Sequence, residues 1–124
     1  PAPAPAGHAT HPRDIVVYRL RGAYFFGAAA TLGAVLDRIA ARPRALVVDF
    51  SDVPFIDSSG ARSIDLLAAR MKRQGARLYI AGTTPAVRRQ LLAYGVTRAR
   101  ATYRSSVASA LDELAGSRPD TGRN

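Results

Sequence analysis

The side chains able to do chemistry are few, and they gather in one stretch. Asp57-Ser58-Ser59-Gly60 sets a carboxylate and two hydroxyls directly ahead of an amphipathic repeat, Ala61, Ile64, Leu67, Ala68 and Met71. Aspartate and serine oxygens accept hydrogen bonds from the unpaired N–H groups of a helix's first turn, so all three are residues that cap helix starts. Ser58 is the one candidate reaction centre. The rest of the chain holds little catalytic chemistry. Its only histidines, His8 and His11, lie in the segment PAPAPAGHATHPR and have no third ligand and no scaffold. No Ser-His-Asp set, phosphate-binding loop or Gly-rich dinucleotide turn is present. Asp49, Asp52 and Asp57 are close in sequence, but strand alternation followed by a turn scatters them. No metal and no cofactor are expected, and the reading is of a chain that is not an enzyme.

The elements that must position Ser58 are legible on either side of it. Ala45 to Phe50 is a short valine-rich apolar run between Pro43 and Ser51-Asp52, the pattern of a strand covered on both faces and central in its sheet. Val53, Phe55 and Ile56 anchor the loop that follows. The helix after it is predicted to end at Gly75, which tolerates the left-handed turn beyond a helix, and Arg77 to Gly82 is a second strand. Strand, helix and strand with short joints make a right-handed parallel crossover.

Upstream, Asp14 to Arg21 reads as a strand, Ala23 to Phe26 as a short strand or extended turn, and Gly27 as the start of a helix that Pro43 stops. Downstream, Thr84 and Pro85 form a strong helix start, with Val87, Leu91 and Tyr94 predicted inward and Gly95 at the end. An edge strand is expected near Ala101 to Tyr103. A last helix, capped by Ser105, carries Val107, Leu111 and Leu114, with Asp112 and Glu113 near the end where the helix dipole disfavours acids. Residues 1–13 read as a linker, 14–115 as one domain and 116–124 as a polar tail.

Val47-Val48-Asp49-Phe50, followed by Ser51-Asp52-Val53-Pro54-Phe55-Ile56-Asp57-Ser58-Ser59-Gly60, resembles the core signature of the STAS domain, and the resemblance runs from about Ile15 to Leu114. That family includes bacterial anti-sigma-factor antagonists and the cytosolic C-terminal domain of SulP-type anion transporters. Gly22-Ala23-Tyr24-Phe25-Phe26-Gly27-Ala28 resembles a segment of the transporter type, one that soluble antagonists usually lack. The resemblance implies an α/β fold, a β-α superhelix with a four- to five-stranded mixed sheet and helices mainly on one side. It implies a regulatory, protein-interaction domain of a bacterial sulfate or anion transporter, on the cytoplasmic side of the membrane, with that transporter's transmembrane domain as its partner. In antagonists with this motif the serine after the aspartate is phosphorylated by a partner kinase, and here that position is Ser58. The alternatives are such a phosphoswitch or a weak nucleotide-binding module.

Composition narrows the choice. The 124 residues suffice for one domain with a real core. There is no cysteine, which excludes disulfides and thiolate metal sites. The start lacks the basic stretch and apolar run of a signal peptide, and the longest uncharged stretch, Gly22 to Leu36, is too short to span a bilayer. The net charge of +9 is unevenly placed. No acid lies between Asp65 and Asp112, an interval holding Arg70, Lys72, Arg73, Arg77, Arg88, Arg89, Arg98, Arg100 and Arg104. Helical spacing turns Arg70, Arg73, Arg88 and Arg89 to solvent. These residues with Lys72 form a candidate surface for an acidic cytosolic protein or an anionic membrane. No nucleic-acid-binding pattern accompanies them, and specific nucleic-acid binding is not expected.

Overall fold

The computed structural model describes residues 14–21 and 43–116. The linker read at 1–13, the strand at 23–26, the helix from Gly27 with the Phe25-Phe26-Gly27 segment, and residues 117–124 lie outside the described residues. Within them the chain forms β1 (Ile15–Arg21), β2 (Ala45–Asp52), α1 (Ser58–Arg73), β3 (Arg77–Ala81), α2 (Pro85–Ala93), β4 (Thr102–Arg104) and α3 (Val107–Gly116). The described strands make one four-stranded sheet in the order β1-β2-β3-β4. All three pairings among the described strands are parallel.

β2 is the strand the sheet is built on. Every residue from Ala45 to Val48, and Phe50, is fully buried. Val47 pairs with Val17 of β1 on one side and Tyr79 of β3 on the other. Because successive side chains leave a strand on opposite faces, the sheet feeds two cores. Val16 and Leu20, Leu46, Val48 and Phe50, and Leu78 and Ile80 face α1 and α2, meeting Ile64, Leu67, Met71, Val87 and Leu91. Ile15, Val17, Ala45, Val47, Tyr79 and Ala81 face α3 and pack on Ala110 and Leu114. Two of the three described helices therefore share one face, and α3 covers the other.

Local signals end the helices as their sequences suggest. Gly75 and Gly95 adopt φ of 74° and 101°. The chain closes behind each in the same way: Ala76 N–H bonds Met71 O at 2.9 Å and Val96 N–H bonds Leu91 O at 3.0 Å. Thr84 caps α2 by accepting from Val87 N–H at 3.1 Å. Two details differ from the sequence reading. Tyr94 is exposed rather than inward, because α2 ends at Ala93 and Tyr94 lies on the turn. The cap of α3 is Ser106, not Ser105: its Oγ accepts from Ser109 N–H at 3.0 Å.

α3 is held by more than its apolar face. Glu113, placed where the dipole disfavours it, accepts a hydrogen bond from the buried Tyr79 hydroxyl at 2.9 Å and another from Arg104 Nε at 2.6 Å. Arg77 Nη2 lies 3.9 Å from the same carboxylate, and its guanidinium stacks over the Tyr79 ring, 5.5 Å from the centroid. The hydrogen bonds from Tyr79 and then Arg104 hold the Glu113 carboxyl below its usual range. Burial, then the bond to Glu113, pushes the Tyr79 phenol up.

Two outcomes follow. Val47→Asp puts an unpaired charge in the dry centre of the sheet, which costs several kcal/mol against a total stability of about 5–15 kcal/mol. Loss of the cooperative transition in a circular dichroism melt is expected, and an unchanged melt would mean β2 is not central. Glu113 tests the clamp on α3. A carboxyl with a lowered folded pKa stabilises above its unfolded pKa, and that stabilisation is lost as pH falls through the folded value. Glu113→Gln is therefore expected to lower the melting temperature at neutral pH, with the gap to wild type closing as pH drops below the ordinary carboxylate range. A gap that stays constant with pH would refute the clamp.

Candidate functional site

The site is built at the carboxyl end of β2, where the strand runs into the loop before α1. The strand end is fixed by Asp49, only 5% exposed, whose carboxylate accepts from Ser51 N–H at 2.9 Å, from the Ser51 hydroxyl, and from Arg19 Nε at 3.3 Å. Gly82, at the end of β3, packs against this cluster. A Cβ there would sit 2.9 Å from Ser51 Oγ and 3.4 Å from Asp49 Oδ1, and the backbone φ of 74° already favours glycine. Asp49 is thus occupied with holding the strand end. Asp52 is exposed, with its carboxylate 3.8 Å from Arg19 Nη1. Asp57 lies farther on as a helix cap. No three acids or histidines converge on a metal position among the described residues.

From there the loop is pinned by Val53 and Ile56, both buried, while Phe55 between them is 60% exposed. The sequence had all three as anchors, but the turn of the loop puts Phe55 outside. Asp57 then takes the cap alone. Its backbone is extended, its Oδ1 accepts from Gly60 N–H at 2.8 Å, and its carbonyl accepts from Ala61 N–H at 2.9 Å. Ser58 and Ser59 occupy the first turn, both exposed. The cap the sequence shared among three residues is therefore supplied by one. The Ser58 hydroxyl has no hydrogen bond among the described residues and opens to solvent. Gly60 is buried beneath the turn.

Ser58 sits at one end of a shallow exposed hollow of about 220 Å³ along α1, lined by Ser58, Ser59, Arg62, Ser63 and Leu66. Leu66 is 66% exposed, an apolar side chain on the outer face of the helix. Arg62 lies over the exposed Tyr94 ring at 6.0 Å, joining α1 to the end of α2. Sequence reasoning passed over Leu66, although a signal existed. It lies two residues, roughly 200° around the helix, from Ile64, outside the Ile64–Leu67–Met71 stripe.

The basic candidates are partly regrouped by the fold. Lys72, Arg73, Arg88 and Arg89 are exposed, as helical spacing suggested. Arg70 is half-buried and engaged with other groups rather than turned freely to solvent. The interval that lacks acids in sequence does not lack them in space. Arg100 Nη1 reaches back to Asp65 Oδ1 at 2.5 Å, and Arg104 and Arg77 reach Glu113. The described part of the surface is therefore basic mainly through α1's last turn, α2 and Arg98.

No helix among the described residues is long and apolar enough to cross a membrane. The STAS-domain family model matches residues 8–110. A search of curated protein sequences finds no match. Among solved structures, the STAS domain of a SulP transporter from Vibrio cholerae is 27% identical, with a TM-score of 0.78 over 89% of this chain and 88% of that one. A sulfate transporter family protein from Wolinella succinogenes is 24% identical, with a TM-score of 0.76 over 87% and 93%. The anti-sigma-factor antagonist SpoIIAA in its unphosphorylated form is 20% identical, with a TM-score of 0.71 over 87% and 94%, a likeness of fold. The parallel sheet, the loop from β2 into a helix opened by Asp57-Ser58-Ser59-Gly60, and the match over most of its length agree: the chain belongs to the STAS-domain family.

Proposed function

We propose that this chain is the non-catalytic regulatory domain of a bacterial SulP-type anion transporter, working by contact on the cytoplasmic side of the membrane. The observation that carries this reading is the higher identity and closer superposition with a SulP transporter STAS domain than with an anti-sigma-factor antagonist. The Phe25-Phe26-Gly27 segment supports it from the sequence. The described site adds no contrary chemistry, since Asp49 and Asp57 are both committed to structural hydrogen bonds. The direct test is the reading frame that encodes the chain. Apolar segments of about 20 residues each, encoded upstream of Pro1, would support the reading; a short reading frame without them would sink it.

A domain tethered in this way meets the transporter's own membrane part and the anionic inner surface of the bilayer. Arg73, Arg88 and Arg89 are exposed, and each basic residue near such a surface contributes about 1 kcal/mol. Co-sedimentation with phosphatidylserine vesicles at low salt is therefore expected. Changing those three arginines to serine should weaken it about a hundredfold. Wild-type protein that ignores anionic vesicles at low salt would leave the basic surface without this role, and retention of an acidic cytosolic protein instead would assign it to that partner.

One observation favours the second reading, an antagonist-type phosphoswitch. The Ser58 hydroxyl is exposed and Asp57 alone caps the helix, so a phosphate on Ser58 would break no hydrogen bond among the described residues. It would add about −1.5 to −2 charges at a helix N-terminus, where N–H groups favour anions, against repulsion from Asp57. It would also change the charge beside the exposed Leu66. Mass spectrometry of the protein isolated from its own cells separates the readings: stoichiometric phosphate on Ser58 supports the switch, and unmodified Ser58 under all growth conditions excludes it.

A further inference from the structure

At the opposite end of α1 from Ser58, the amino ends of β3 and β4 and the turn over residues 97–100 enclose a cleft of about 310 Å³. Lys72, Arg77, Arg98 and Arg100 all line it, and no carboxylate does. The floor is small and apolar, with Ala76 and Leu78 buried beneath the cations. Two of the four charges are already engaged by acids outside the lining: Arg100 donates to Asp65 and Arg77 approaches Glu113. The other two, Lys72 and Arg98, are exposed and meet no acid among the described residues. Lys72 and Arg98 are two like charges at one cleft with no acid to offset them, and an anion seated there relieves their repulsion.

The geometry points to a binding site for a phosphate-bearing polyanion, held by Lys72 and Arg98, the two cations of the lining that no acid among the described residues neutralises. Phosphate suits this set better than a single carboxylate. Arginine offers a planar fork of N–H donors that matches phosphate oxygens, lysine offers a compact point charge, and two cations without acids call for more than one negative charge. The volume is at the small end for ligand sites. It admits a few phosphate groups or a phosphorylated ring, whether free in solution or as a lipid headgroup. The site is separate from the Ser58 hollow: α1 is 16 residues long, about 24 Å at 1.5 Å per residue. It stands independently of the transporter reading.

Calorimetric titration of the full chain with inorganic tripolyphosphate, at low and physiological salt, tests it. Lys72→Ser and Arg98→Ser are each expected to weaken binding about tenfold, the loss of one charge-assisted hydrogen bond. Arg21→Ser removes the same charge from an exposed position at the carboxyl end of β1, outside the cleft, and is expected to change it far less. Binding should also raise the melting temperature of the wild type, and less so of the two cleft variants. The absence of binding by wild-type protein overturns the proposal, as does equal weakening by Arg21→Ser, which would mean a diffuse basic field. Vesicles of phosphatidylcholine with and without a phosphoinositide distinguish the sources. Retention only with the phosphoinositide, lost in Arg98→Ser, supports a headgroup; tripolyphosphate binding without retention supports a soluble ligand.

Discussion

From Ala45 to Val48 the chain is shut off from water on every side, paired to β1 and β3 at its edges and covered by helices on both faces. Such a strand can hold only apolar side chains, and its backbone groups find partners only in its neighbours. Everything else is placed by it. β1 and β3 take their register from it, α1 leaves from its carboxyl end, and the two cores are defined by its alternating side chains. The one acid on it within the buried run, Asp49, sits where the strand emerges, and is saturated by Ser51 and Arg19.

Parallel pairing separates the molecule into two ends with different chemistry. Strands that all run one way bring the loops after them to one end and the joints before them to the other. The loop after β2, the free hydroxyl of Ser58 and the glycine needed at position 82 gather at the carboxyl end. The last turn of α1 and the entries to β3 and β4 gather at the amino end, where the unpaired cations converge. α1 is the rod between them, with its N–H groups at the serine end and its basic last turn, Arg70, Lys72 and Arg73, at the other, the sense the helix dipole favours.

The second face is tied down by a polar cluster around Glu113. Tyr79 is fully buried in β3, yet its hydroxyl reaches Glu113, and Glu113 is shared with Arg104 of β4. An acid in the last turn of a helix is unfavourable by itself. Here the arginine and the phenol offset that cost and tie α3 to β3 and β4.

Much of this was legible from local patterns. The valine-rich run of β2, the Ile64–Leu67–Met71 spacing of α1, the Thr84-Pro85 start of α2 and the glycines at 75 and 95 each encode their structure within a few residues, because alternation, helical period and capping are near-neighbour effects. The STAS signature likewise sits in one continuous stretch. What the sequence could not decide depends on residues far apart in the chain. Tyr94 turned outward because α2 ended one residue before it. Phe55 turned outward because the loop bent between its two buried neighbours. Arg100 found Asp65, and Arg104 found Glu113, so the acid-free interval acquired acids in space. Lys72 and Arg98 were brought to one cleft by the two successive crossovers, which carry α1 back to the start of β3 and α2 back to the start of β4. Side-chain period is a property of the local backbone, and the sequence determined it. Which charges meet and which stay bare is set by the packing of elements, and only the tertiary structure decided that.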